Sequence, residues 1–296
     1  MPANGNGHKK FIQFTRPPNR VVSLVPSLTE SLFDLGLGEA CVGVTDFCVH
    51  PAEAIKDLPR VGGSKNPSID DIIRLKPDLV LANQEENLLQ DVEALEKAGI
   101  KVWVSFPKNV RQAVDTLWML AGIFSSAVAM MRIETLELTL DWAEEAVKSS
   151  PKTRYFCHIW QDRTSKGVPW WMSFNQETYA HDVLRVLGGV NLFADRKRRY
   201  PLEADLGLAE TEDAEGRDTR YPRLSLEEIR RSAPQVVILP NEPFAFNETH
   251  IQEFHKLLPE TPAVQSDRIR LVDGSLFTWP GTRLARALRE LTGIFS

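Results

Sequence analysis

The sequence is poor in features that would commit it to a specialised class of protein. It contains three cysteines, Cys41, Cys48 and Cys157, and none of them forms a CxxC pair. Such a sparse, odd set predicts reduced thiols rather than a disulfide framework. The formal net charge of −5 gives no support to nucleic-acid binding. A chain of 296 residues is long enough for about two domains, each with a core of its own.

Long apolar runs and catalytic motifs are also missing. No stretch of about 18 apolar residues occurs, so membrane insertion is not expected. Lys9 and Lys10 are not followed by an apolar segment of signal-peptide length. This pattern predicts a cytoplasmic protein, and a periplasmic or other extracytoplasmic location is the alternative if a leader is missing. HExxH, GxSxG and GxxxxGK do not occur, so we expect no enzyme, no required cofactor and no metal site.

What the sequence does contain is an internal repeat. SIDDIIRLKPDLVLA, from Ser68, is similar to SLEEIRRSAPQVVIL, from Ser225. In each copy an acid three residues after the serine, Asp71 or Glu228, predicts a capping box at the start of a helix. The helix ends before a proline. The unbroken apolar run that follows is typical of a strand buried on both faces of a parallel sheet.

The repeats define the expected architecture. Residues 126–147 place apolar side chains at helical spacing, and a helix of this length spans about 33 Å, enough to bridge two lobes. Another capping box is predicted at Ser27 with Glu30. We therefore predict an α/β fold of two doubly wound lobes with parallel-rich sheets, joined by one long interlobe helix. The predicted parts are an N-terminal tail (1–19), an N-terminal lobe (20–124), a linking helix (125–150) and a C-terminal lobe (151–296). The charged residues 200–220 are predicted to form a long inserted loop.

Candidate ligand contacts lie in loops that are expected to follow the strands, because ligands of open α/β sheets bind beyond the carboxyl ends of the strands. His50 could ligate the metal of a chelate or be an ordinary hydrogen-bonded residue. Trp160 and Trp171 could line a site or fill the core. An aromatic wall with a few polar groups suits a planar or macrocyclic ligand. The candidates are polar in the first lobe and aromatic in the second: His50, Lys65, Asn66, Glu85, Glu86 and Asn87, then Trp160, Trp170, Trp171, Tyr221 and Trp279.

Several segments resemble a known family. RVVSLVPSLTESLFDLG, VGVTDFCVHPAE and the first repeat resemble the N-terminal lobe of the helical-backbone receptors that serve ABC importers of cobalamin and iron-siderophore. VLRVLGGVNLF and YPRLSLEEIRRSAPQVVIL resemble the C-terminal lobe, and the likeness to the cobalamin-binding members is greatest. The resemblance covers about residues 20–294. It implies the class III periplasmic-binding-protein fold, with a ligand bound between the lobes. Aromatic cobalamin contacts of the family align with His50, Ser64 and Tyr221.

The resemblance also implies a partner. In the family, one surface carboxylate on each lobe docks onto arginines of the membrane permease, and these positions align with Asp70 and Glu227. Because the caps use Asp71 and Glu228, Asp70 and Glu227 are expected to project freely. Their alternative role is to compensate the helix dipole.

Three functions are carried forward. The leading one is a monomeric substrate-binding protein that captures a cobalamin-like or iron-chelate ligand, with an ABC permease as partner. The second is a cytoplasmic carrier of a corrinoid or another cofactor, uncoupled from any importer. The third is a metal-dependent enzyme that uses His50, Cys48 and Glu85.

Overall fold

The computed structural model describes residues 14–295, so most of the predicted N-terminal tail lies outside the described residues. The chain divides into two compact units. The first comprises the residues up to Phe106 together with Asp115–Glu134, and the second comprises Pro107–Val114 and the chain from Thr135 onward. The division assigns part of the segment before the long helix to the second unit. The domain bounds given above stay a prediction.

Short strands alternate with helices along the whole described chain. The strands are β1 (Val21–Ser23), β2 (Cys41–Val44), β3 (Gly62–Gly63), β4 (Asn66–Pro67), β5 (Leu79–Asn83), β6 (Val102–Ser105), β7 (Thr153–Cys157), β8 (Trp160–Arg163), β9 (Pro169–Met172), β10 (Gly189–Asn191), β11 (Arg223–Leu224), β12 (Val236–Pro240) and β13 (Ile269–Val272).

The helices vary from single turns to 22 residues. They are α1 (Pro26–Asp34), α2 (Ala52–Ile55), α3 (Ile69–Arg74), α4 (Leu89–Lys97), α5 (Val110–Phe124), α6 (Ala127–Lys148), α7 (Tyr179–Val186), α8 (Leu202–Asp205), α9 (Leu226–Ser232), α10 (Glu248–Leu257), α11 (Pro262–Gln265), α12 (Ser275–Thr278) and α13 (Arg283–Glu290), with a 3-10 turn at Gly38–Ala40.

The first unit is built on a parallel sheet in the order β2-β1-β5-β6. The central strand β5 is buried at every position. Its Val80 lies between Val22 of β1 and Val102 of β6. This arrangement confirms the parallel strand that the first repeat predicts, because a strand covered on both faces needs apolar residues throughout. A small antiparallel hairpin, β3 with β4, lies beside the sheet.

The second unit repeats the pattern with the order β10-β7-β12-β13, all parallel. Its central strand β12 is likewise buried throughout. This strand follows the second repeat, as predicted. The unit also has a sheet absent from the prediction, the antiparallel β11-β9-β8. The α/β fold with parallel-rich sheets is therefore confirmed.

The long helix forms as predicted. It covers Ala127–Lys148, within one residue of the expected bounds. One face buries Ala129, Ile133, Leu136 and Leu140, which is the apolar stripe that the spacing indicates. Within residues 14–295, no helix is both long and apolar enough to cross a membrane.

Of the three predicted capping boxes, two are formed in their serine half only. The reciprocal bond to the acid is replaced at Ser68, whose N donates to Val61 O, and the Glu228 carboxylate binds Arg196 instead. The Ser68 hydroxyl accepts a hydrogen bond from Asp71 N at 3.4 Å, and that of Ser225 accepts one from Glu228 N at 3.2 Å. The cap predicted at Ser27 is wrong. Helix α1 begins one residue earlier, at Pro26, because the fixed φ of proline and its missing N–H suit the first helical position. Ser27 is consequently inside the helix, and its buried hydroxyl has no hydrogen-bond partner among the described residues.

The inserted segment is more ordered than its composition indicates. Residues 200–220 contain helix α8 and a bridge from Tyr200 to Glu212, so the prediction of a plain loop is incomplete. Asp205 is fully buried. Its carboxylate accepts from Arg223 Nε at 3.0 Å and pairs with Arg196 Nη1 at 2.9 Å. The sequence does not indicate this burial, because a charged residue is expected to be solvated unless its partners are known.

Candidate functional site

The carboxyl edge of the first sheet is held together by Asn87, which is 6% exposed. Its amide Nδ2 donates to Ser64 O at 2.9 Å and to Leu24 O at 3.4 Å. Its Oδ1 accepts from Asn83 N at 2.8 Å. The side chain therefore fixes three loops that follow or flank the strands. Because these contacts engage its polar atoms within the protein, the structure supports a positioning role for this predicted ligand contact.

The other polar candidates of the β3–β4 hairpin and the loop after β5 are more accessible. Lys65 Nζ donates to the backbone oxygen of Glu85, which brings these two candidates together. Lys65, Asn66 and Glu85 are exposed, and Glu86 is half-buried. The Asn66 side chain lies directly over Gly63, so a larger residue at position 63 would displace the Asn66 amide. The hairpin thus presents an amine and an amide beside a carboxylate.

The loop after β2 carries His50 and an unpredicted aromatic residue. His50 is half-buried, whereas Phe47 is 61% exposed and reaches the hairpin, since a Cβ at Gly63 would lie 3.2 Å from its ring. Arg60 Nη1 fixes this loop by donating to Thr45 O at 2.9 Å and to Cys48 O at 2.8 Å. The sequence could have indicated Phe47, because it shares with His50 a loop that is expected to face the ligand.

Cys48 has a structural role in the same loop. The thiol is fully buried, and Thr29 Oγ1 donates to its Sγ at 3.1 Å. Burial raises the pKa of this thiol, which disfavours the reactive thiolate. No group of three or more His, Cys, Asp or Glu that could hold a metal ion occurs in the described part of the chain. A metal centre of His50, Cys48 and Glu85 therefore finds no support.

Three of the tryptophan candidates lie on strands of the antiparallel sheet, not in loops as predicted. Trp160 is on β8, and Trp170 and Trp171 are on β9. Trp171 is 4% exposed and packs in the core with Phe156. Trp170 is 8% exposed. Trp160 is 38% exposed and meets Phe244 edge-on, with ring centroids 5.5 Å apart. Of these three, Trp160 offers an accessible ring.

His158 connects this aromatic pair to the core, a role that the sequence does not indicate. The imidazole is fully buried, 4.3 Å from the Phe246 ring and 5.7 Å from Phe156, on which it stacks. Neither ring nitrogen makes a hydrogen bond of good geometry with the described residues, although the Trp160 backbone acts on the imidazole and partly offsets the effect of burial. Burial therefore holds the pKa of His158 well below its usual value.

A second accessible aromatic surface surrounds Trp279. The Arg283 guanidinium lies 4.5 Å from the centre of its ring. The neighbouring Glu242 accepts from Thr278 Oγ1 at 3.1 Å and from the Trp279 side chain. Burial raises the pKa of Glu242. Glycine is needed at position 274, because a Cβ there would lie 2.5 Å from Glu242 O. The indole is thus oriented by a cation and a carboxyl group.

Tyr221 precedes β11 and is half-buried. The chain on both sides of it is fixed, because Asn175 N donates to Arg220 O at 2.8 Å and Ser173 N donates to Pro222 O at 3.1 Å. The Arg220 guanidinium lies 5.3 Å from the centre of the Tyr221 ring. The ring orientation is therefore set before any ligand arrives.

The two predicted docking acids differ in their surroundings. Both are exposed in the first turn of a helix, Asp70 in α3 and Glu227 in α9. Glu227, however, pairs with Arg230 at 3.1 Å and with Arg231 at 2.9 Å. The expectation that Glu227 projects freely is wrong, because basic residues three and four positions later on the same helix reach it. Such exposed pairs are weak, so a stronger partner can displace them.

The comparisons with known proteins agree with this architecture. A family model described as "Periplasmic binding protein" matches residues 21–276. The chain belongs to this family. A vitamin B12-binding protein of Vibrio vulnificus (strain CMCP6) is 25% identical over 283 residues, which is 95% of this chain and 91% of that protein. A vitamin B12-binding protein of Yersinia pestis (strain Pestoides F) is 26% identical over 230 residues, 74% of this chain and 69% of that protein.

Solved structures confirm the family fold. The periplasmic vitamin B12 binding protein BtuF of Vibrio cholerae superposes with a TM-score of 0.73 at 24% identity, covering 94% of this chain and 97% of that one. The periplasmic heme-binding protein RhuT from Roseiflexus sp. RS-1, in apo form, gives 0.70 at 21% identity, covering 94% and 97%. At these identities the likeness establishes the class III periplasmic-binding-protein fold.

The family corrects one prediction outright. The cytoplasmic location is wrong, because the family and its solved members are periplasmic binding proteins. That prediction relied on the first residues of the sequence, which carry no information about the compartment. The alternative function, a cytoplasmic carrier, depended on that location and is therefore not favoured. The family consists of proteins that bind a substrate, which confirms the general role predicted from the resemblance.

Proposed function

We propose that this chain captures a metal-bearing macrocycle or chelate, cobalamin-like first and iron-chelate second, and presents it to the permease of an ABC-type importer. It binds the ligand without altering it. The ligand-contact candidates named above, with Phe47 and Glu242 added, are part of this proposal. So is a monomeric binding protein as the working form.

The observation that carries the proposal is the set of flat aromatic side chains near the carboxyl ends of β7 and β12 in the second unit, of which Trp160 is exposed and Phe244 and Trp279 are half-buried. Trp160 and Phe244 form an aromatic pair, and Trp279, oriented by Arg283, adds a third flat side chain. Flat aromatic faces stack well on planar ligands. The vitamin B12-binding relatives, which match along almost the whole chain, indicate which macrocycle to test first.

A titration tests the ligand. Cyanocobalamin, hemin and a ferric siderophore are added in turn to the protein while tryptophan fluorescence is recorded. We expect saturable quenching at micromolar cyanocobalamin. If none of the three quenches the fluorescence or is retained in equilibrium dialysis, the proposed ligand class is wrong. The bound ligand, released by denaturation, should have an unchanged mass, and a changed mass would contradict the absence of catalysis.

A variant tests the surface. Trp160→Leu should weaken binding of the quenching ligand by up to about tenfold, because an aromatic stacking contact contributes about 0.5–1.5 kcal/mol. Trp142→Leu is the matched control, since Trp142 lies on α6 and is 73% exposed. Equal affinities for the two variants would remove Trp160 from the site.

A further inference from the structure

The inserted segment of the second unit gathers arginines around one tyrosine. The guanidinium groups of Arg217, Arg198 and Arg223 lie 4.1, 4.9 and 5.5 Å from the centre of the Tyr200 ring. Cations are attracted to an aromatic face, but three of them at one ring also repel each other. Whether the cluster can bind a further anion therefore depends on which of these charges are neutralised by acids.

Two nearby acids are already committed to other arginines. The buried carboxylate of Asp205 is shared by Arg196, Arg199 and Arg223. Asp218 pairs with Arg220 at 2.6 Å. These contacts account for the Arg223 charge. Both carboxylates also attract the Arg198 guanidinium electrostatically, but neither forms an ion pair with it.

Arg198 and Arg217 form no ion pair with any carboxylate in residues 14–295. The Nε of Arg198 is buried and has no hydrogen-bond acceptor there. Burial lowers the pKa of Arg198, and the charge of Arg223 lowers it further. Arg217 donates to the backbone oxygens of Ala214 and Asp213, at 2.9 and 2.6 Å. A buried donor without an acceptor is costly, so an acceptor supplied from outside would stabilise the cluster.

The cluster is connected to a predicted ligand contact through short steps. The Tyr200 hydroxyl donates to Asp218 O at 2.7 Å. The Asp218 carboxylate binds Arg220, whose guanidinium lies over the Tyr221 ring. An acidic group of a ligand that contacts Tyr221 is therefore a candidate for the anion held by Arg198 and Arg217.

We propose that Arg198, which precedes the inserted segment, and Arg217, which lies within it, form an anion-binding subsite that takes a carboxylate or phosphate group. Guanidinium groups suit both, because their planar donors match two oxygens at once. The anion is either an acidic group of the captured ligand or a free anion. The first case rests on the proposed function, and the second does not.

The test compares two probes that differ in charge alone. Hemin carries two carboxylates, and hemin dimethyl ester carries none. In the same solvent, Arg198→Gln with Arg217→Gln should weaken hemin binding about tenfold or more and leave ester binding unchanged. Lys197→Gln is the control, because it removes an exposed charge next to the cluster. Arg217→Gln alone, at an exposed position, provides the same comparison if the double variant does not fold.

Inorganic pyrophosphate distinguishes the two sources and is independent of any macrocycle. It should raise the Tm of the unaltered protein and of Lys197→Gln, but not of the double variant. If the double variant loses affinity for hemin but not for the ester, the subsite binds an acidic group of the ligand. If the double variant loses only the effect of pyrophosphate on Tm, the subsite binds a free anion. The subsite does not exist if pyrophosphate leaves Tm unchanged and the double substitution changes the binding of hemin and of its ester equally. Absence of binding of both probes counts as an equal response.

Discussion

His158 shows how a single residue can connect the exposed surface of this protein to its core. The imidazole is enclosed by Phe156, Phe246 and Phe254, with ring centroids between 4.3 and 5.7 Å away. His250 lies beyond Phe246, and its electrostatic effect also disfavours protonation of His158. The cluster is therefore stable only with a neutral imidazole.

Acid should consequently destabilise the protein through His158. The folded-state pKa lies well below the ordinary value of 6.5, so below about pH 6.5 the unfolded chain binds a proton that the folded protein does not. The free energy of unfolding must then fall as the pH falls, by up to about 1.4 kcal/mol per pH unit. Urea denaturation of the protein and of His158→Phe between pH 7 and 5 measures this. We expect a smaller loss in the variant, and parallel pH profiles would assign the acid sensitivity to other groups, such as His181.

At the scale of elements, the capped helices show which local patterns are reliable. Ser68 and Ser225 each cap a helix at the predicted position, and each helix leads into a fully buried strand. The pattern around Ser27 is equally good in sequence, yet Pro26 starts that helix first. A cap is therefore predictable only where no better first helical residue competes for the position.

The different roles of Ser27, Ser68 and Ser225 can be measured. Ser68→Ala and Ser225→Ala should each lower the free energy of unfolding by about 1 kcal/mol, because a helix N–H loses its acceptor. Ser27→Ala is the control, since its hydroxyl caps nothing and is buried without a partner. Replacing it should cost nothing or stabilise the protein slightly. A loss at Ser27 equal to the loss at Ser68 would contradict this assignment, and chemical denaturation of the three variants decides the matter.

At the scale of the whole molecule, the family implies transfer of a captured substrate to a membrane partner. Each unit presents one exposed acid at the start of its capped helix, Asp70 in the first and Glu227 in the second. The exposed pairs of Glu227 with Arg230 and Arg231 can be exchanged for arginines of a partner at little cost.

We expect Asp70→Ala with Glu227→Ala to bind ligand with unchanged affinity and to fail in ligand uptake by cells that carry the permease. The reason is that charge pairs on the rim of an interface govern association with the partner. Glu53→Ala with Glu253→Ala is the control, because it removes one exposed acid from each unit. Uptake that survives the first pair, or is lost equally with the second, would exclude this docking role.

The sequence by itself determined the repeat, the two helix caps, the buried parallel strands and the long helix. These follow from local spacing and from the apolar runs that a covered strand requires. Only the tertiary structure decided which aromatic residues are accessible. From the sequence, Trp160 and Trp171 could each line a site or fill the core, but they lie on neighbouring strands and differ in burial. The tertiary structure also decided that Asp205 is a buried anchor and that Arg198 and Arg217 form no ion pair among the residues that the structure describes. Those properties depend on partners many residues away in the chain, which no local pattern records.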